Sequence, residues 1–154
     1  MALLLGGLVG TAGALADAWQ GADPQGDGDS RCMVQSEVQR INDGYDETLV
    51  HLVLDQRSLL VIADSTFDFD TVPLGLTVDG GEFIAADRIE KDTRLVFEKD
   101  IARITEQFVS GNRARLRLRF WPTWPETGDK FVEFSLKGFS RAFAGLSPCS
   151  RSTS

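Results

Sequence analysis

Only one histidine, His51, and two cysteines, Cys32 and Cys149, stand among 154 residues. That scarcity removes most conventional catalysis at the outset, because a serine or cysteine nucleophile with a histidine base has His51 alone to draw on. His51 lies in Leu49-Val-His-Leu-Val53, and strand alternation puts it on one face with Leu49 and Val53, where a partly buried, hydrogen-bonded histidine sits. Gly138-Phe-Ser140-Arg-Ala142 lacks the second glycine of a nucleophile elbow. A phosphate-cradling loop and zinc-ligand spacing are also missing, so no enzyme activity, metal or cofactor is expected. Apolar runs are too short to span a bilayer. Positive charge is scarce too, with 16 Lys and Arg against 23 Asp and Glu and a net charge of −7. An acidic surface repels phosphate backbones and anionic headgroups, which makes nucleic acid or direct membrane insertion a poor expectation.

What is present begins with residues 1–16, uncharged and rich in Leu, Ala, Gly and Val. They read as a signal peptide, with Ala14-Leu15-Ala16 as the small-x-small site and cleavage before Asp17. No Lys or Arg precedes the apolar core, so a misassigned start or an N-terminal core strand are the other readings. Export to the periplasm or beyond the cell makes a Cys32–Cys149 disulfide the expected fate of the two thiols, whereas without export they stay separate. Residues 17–30 form a polar lead-in. Its Asp23, Asp27 and Asp29 lack the spacing and closing Glu of a calcium loop. Residues 31–149 then make one domain of ordinary size, with 150–154 as a tail.

The body of the chain alternates with period two. Cys32 to Val38, Thr48 to Leu54 and Ser58 to Ala63 predict three strands, the first placing Cys32, Val34, Ser36 and Val38 on one face. Further strands are expected at 71–78, 82–86 and 93–97. One amphipathic helix follows, with Ile101, Ile104 and Phe108 on a stripe, Glu98 and Asp100 at its acidic start and Gly111-Asn112 as its stop. Near the end, Lys130 to Leu136 alternates as a strand. After Gly138, Phe139, Ala142, Phe143 and Leu146 take helical spacing. The expected fold is mainly β: an antiparallel β-sandwich, immunoglobulin-like, with a short mid-chain helix and a short C-terminal one.

Three surfaces are candidates for function. Asp64, Asp68 and Asp70 are the densest acidic cluster and the one place where a hydrolase could work; the other reading is a loop whose Phe67 and Phe69 turn inward. Arg113 to Phe120 alternates without fault, turning Arg113, Arg115, Arg117 and Arg119 outward on an acidic protein. Such a row can recognise a polyanion, or it can pair across strands with Glu133 and protect a sheet edge. Trp121-Pro-Thr-Trp124-Pro is a rigid hairpin tip, suited to sugar stacking or protein contact, or else to capping the core. If the protein binds a protein or glycan partner, Arg115, Arg117, Arg119, Trp121 and Trp124 are the expected contacts.

Phe134-Ser-Leu-Lys-Gly-Phe-Ser-Arg-Ala-Phe143 resembles the C-terminal signature of the bacterial invasion-associated locus B family, a Ser-Leu-x-Gly-Phe step before a small-residue helix. Cys32-Met-Val-Gln-Ser-Glu-Val38 is similar to that family's first core strand, and Val72-Pro-Leu-Gly-Leu-Thr-Val-Asp-Gly80 to its middle strand. Many members carry another cysteine pair in mid-chain, and residues 83–97 have none. The resemblance implies a non-enzymatic periplasmic or secreted protein with a role in host-cell interaction or envelope physiology. A periplasmic glycan- or lipid-binding module is the alternative.

Overall fold

Eleven strands and two helices follow one another in a computed structural model that describes residues 17–22, 32–69, 72–121 and 128–146. Residues 1–16, expected to be a signal peptide, and Asp70, Trp124 and Cys149 lie outside the described residues. The chain is mainly β and antiparallel, as its alternation predicts. The first sheet holds β1 (Trp19–Ala22), β2 (Met33–Ser36), β4 (Glu47–Leu54), β5 (Leu59–Ala63), β9 (Arg94–Phe97) and β8 (Arg88–Glu90) in that order, with β3 (Gln39–Asn42) also on β4. The second runs β11 (Lys130–Ser135), β10 (Arg113–Leu118), β6 (Gly75–Val78) and β7 (Ile84–Ala85).

The inward rows of both sheets meet in one core. Val50, Leu52, Leu54, Leu59, Val61, Leu95 and Phe97 come from the first sheet, and Leu76, Ala114, Leu116, Leu118 and Phe134 from the second. Helix α1 (Ile101–Ser110) adds Ile104 and Phe108, and α2 (Phe139–Ala144) adds Phe139. Three rings lock one end together. Trp19, Phe108 and Phe139 meet edge to face, with centroids 5.9, 5.0 and 5.3 Å apart, and Trp19 Nε1 donates to Ser135 O at 2.8 Å. Ala18 N donates to Lys137 O, so the start of β1 is tied to the turn at Gly138, whose φ of +85° suits glycine.

Four expectations are corrected. The strand expected over 32–38 is broken, because Gln35 pairs with Val53 while Gln39 pairs with Val50, leaving one extra residue on the β2–β3 side. This is a bulge. Ser36 Oγ accepts from Leu52 N there, and Val38, expected on one face with Val34, is 54% exposed while Val34 is buried. The strand expected over 82–86 shrinks to Ile84–Ala85, and the next stretch forms β8 instead. Helix α1 begins after both acidic residues, with no acidic side chain in its first turn, and Glu98 is drawn away to Arg88. Finally, β10 lies between β11 and β6, so its arginines do not protect an edge.

Candidate functional site

The outer face of the second sheet is built by the alternation of β10. Its even positions Ala114, Leu116 and Leu118 are buried, which forces Arg113, Arg115 and Arg117 to the other side. Register then decides the neighbours of each arginine. Arg117 stands between Phe131 on β11 and Gly75 on β6, while Arg115 stands between Glu133 and Thr77.

Arg115 passes over its direct neighbour's row and lays its guanidinium on the Phe131 ring, 4.2 Å from the centroid. Arg117 lies over Phe83 at 4.6 Å and donates from Nε to Pro73 O at 3.0 Å, with Nη2 on the same carbonyl. Gly75 makes the second stack possible. A Cβ there would come within 2.7 Å of Phe83 Cζ and 2.1 Å of Ile84 O, so only glycine leaves room for the ring beneath Arg117. Together Thr77, Phe83, Arg115, Arg117 and Phe131 line a cleft of about 160 Å³.

The other two arginines of the row are neutralised. Arg113 pairs with Glu133 at 3.2 Å. Arg119 stands 3.7 Å from Asp129, too far for a hydrogen bond, and its Nε is buried without a hydrogen-bond partner among the described residues. Arg115 and Arg117 have no carboxylate partner among the described residues. Two positive charges are thus left beside a small cleft with aromatic walls. That arrangement suits an anionic oxygen cluster, with the guanidinium forks as donors and the rings as apolar walls.

Of the expected contacts, the structure brings Arg115 and Arg117 together and turns Arg119 to Asp129. Trp121 is 64% exposed and does not line the cleft. Phe83, Phe131 and Thr77 were not among the expected contacts. The outward phase of Phe131 beside Val132 is readable from alternation, whereas Phe83 lies just before a two-residue strand, where there is no periodic signal.

The remaining candidates fall elsewhere. Phe67 is buried and stacks on Phe120 at 5.2 Å, and Phe69 is half-buried, so the acidic cluster is a loop with its rings turned in. Asp64 is exposed and Asp68 is buried, its N–H donating to Arg119 O at 2.7 Å. His51 is half-buried on the outer face of the first sheet; burial holds its imidazole below the ordinary value of 6.5, against a smaller opposing pull from Asp64. Among the described residues no three His, Cys, Asp or Glu side chains gather as metal ligands, and no helix is long and apolar enough to cross a membrane. Compared with known proteins, the chain matches no family model, no curated protein and no solved structure.

Proposed function

We propose that this chain is an exported, non-enzymatic binding module of the invasion-associated locus B kind, working in the periplasm or outside the cell. Its site is the two-arginine cleft, and its ligand is a phosphate or sulfate group carried on a glycan of the envelope or of a host surface. The observation that carries this reading is a pair of guanidiniums, Arg115 and Arg117, each laid on an aromatic ring and lacking a carboxylate partner among the described residues of a protein with net charge −7. Uncompensated cations on such a protein repel one another, and a bound anion relieves that repulsion.

The family reading is supported by residues 134–143, which fold as the end of a strand, a left-handed glycine turn and a helix. Export fits a disulfide between Cys32 and Cys149. Cys32 precedes Met33, which pairs with Ala22, and Leu146 lines a groove beside Trp19, Gln20 and Gly21.

The test is a titration of isotope-labelled protein with a sulfated and a phosphorylated disaccharide, beside their uncharged parents. Charged ligands should shift the side-chain signals of Arg115 and Arg117. The double change Arg115→Ala with Arg117→Ala should weaken binding tenfold or more, while Arg40→Ala, an exposed arginine paired with Glu47, should not. Equal binding by the double variant would sink the proposal.

A further inference from the structure

The centre of the first sheet breaks the rule that the second obeys. An antiparallel sheet with one face in water alternates apolar and polar residues, as β10 does with Arg-Ala-Arg-Leu-Arg-Leu. Strand β5 reads Leu-Leu-Val-Ile-Ala and β4 ends in Leu-Val-His-Leu-Val-Leu, apolar on both sides but for His51 on the outer one. Their inward residues are fully buried, but Val53, Leu60 and Ile62 on the outer side are only half-covered. Composition of this kind belongs to strands with something lying on each face.

These outward residues are contiguous. Val53 stands opposite Leu60, Ile62 opposite Arg94, and Gln35 opposite Val53. With Ala22 and Met33 they line an open groove of about 460 Å³ that runs across the strands from β9 to β1. Four interstrand steps of about 4.8 Å make it roughly 19 Å long. Arg94 closes one end. It is half-buried and its side chain makes no ion pair or hydrogen bond among the described residues, because Glu90, directly across from it, is held by Arg88 at 2.8 Å. Arg88 is in turn shared with Glu98. A lone cation at the mouth of an apolar groove, on a strongly acidic protein, matches a molecule with one anionic end and a hydrocarbon tail.

We propose that this groove holds the acyl chain of a single-chain anionic amphiphile such as a fatty carboxylate, with the headgroup on Arg94 and the tail over Ile62, Leu60, Val53 and Met33. The site lies on the sheet opposite the two-arginine cleft and does not depend on it. Burial of the tail supplies most of the affinity, in proportion to apolar area, and Arg94 supplies discrimination by charge.

The experiment is a titration of the full chain with dodecanoate below its micellar range, followed by backbone amide shifts, with dodecanol as the uncharged comparison. Dodecanoate should shift the amides of Met33, Val53, Leu60 and Ile62 and bind at least tenfold more tightly than dodecanol. Arg94→Gln should erase that preference while leaving dodecanol binding unchanged. Leu60→Lys, at a half-exposed position that a folded sheet tolerates, should abolish binding of both, and its amide spectrum shows independently that it is folded. Equal affinity for acid and alcohol, shifts centred on Arg115 and Arg117, no binding at all, or a face buried instead by a second copy of the chain in sedimentation would each overturn the proposal.

Discussion

At the scale of single residues, backbone and charge make separate demands. Lys91 and Asp92 hold φ of +51° and +60° in the turn between β8 and β9, a left-handed pair that hairpins usually give to Asn-Gly. Each non-glycine residue there costs on the order of 1 kcal/mol, so Lys91→Asn with Asp92→Gly should stabilise the protein by about 1 to 2 kcal/mol in urea unfolding. His51 carries a pH dependence of known sign. Its folded value lies below 6.5, so the unfolded chain takes up a proton first as pH falls. Its contribution is complete above 6.5 and lost on acidification through the folded value. Stability measured between pH 7 and pH 5 should therefore decline less steeply in His51→Gln, and an unchanged slope would show that other groups govern this window. Asp43 adds to the same trend at lower pH. Although burial pushes its carboxyl up, hydrogen bonds from Ser65 and from the N–H groups of Asp46 and Tyr45 prevail and hold it down.

Between elements, the joint of β1, α1 and α2 carries much of the stability at its end of the sandwich. Phe108 and Phe139 are fully buried and Trp19 nearly so, and each touches the other two rings. Phe139→Ala should cost about 3 to 5 kcal/mol, because the cavity left between two helices and a strand cannot collapse. Trp19→Phe keeps a ring in place but leaves Ser135 O without its donor, a loss of about 1 kcal/mol in chemical denaturation. The Gly75 position links elements in another way. Gly75→Ala would drive a Cβ into Ile84 O and Phe83, so it should disturb the cleft and weaken anion binding. Retained binding in a folded Gly75→Ala protein would show that Phe83 is not needed under Arg117.

For the molecule as a whole, the proposed staple between Cys32 and Cys149 would join the start of β2 to the segment beyond α2. Closing a loop of that length stabilises by about 4 to 5 kcal/mol on the chain-entropy view. Protein recovered from the periplasm or medium should show the mass of one disulfide and an N-terminus at Asp17, and reduction should lower its unfolding midpoint sharply. A free-thiol mass would remove both the staple and the argument from export. The distribution of charge also belongs to this scale. Arg40, Arg88, Arg103, Arg113 and Arg141 are matched to acidic neighbours within 3.5 Å, which leaves Arg94, Arg115 and Arg117 as the described arginines that border grooves without such a match.

The sequence by itself determined the period of each segment and hence the two-sheet antiparallel architecture. The faultless row of β10, the stripe of α1 and the turn at Gly138 all act through neighbours a few residues away. Only the tertiary structure decided the bulge after Ser36, the interior place of β10, and which arginine meets which ring. Those outcomes depend on register between strands far apart in the chain. Arg117 meets Phe83 because β6 brings a glycine opposite it, and Arg94 stays unmatched because Arg88 takes Glu90 first. Periodicity says which face a side chain occupies; strand pairing says what it finds there.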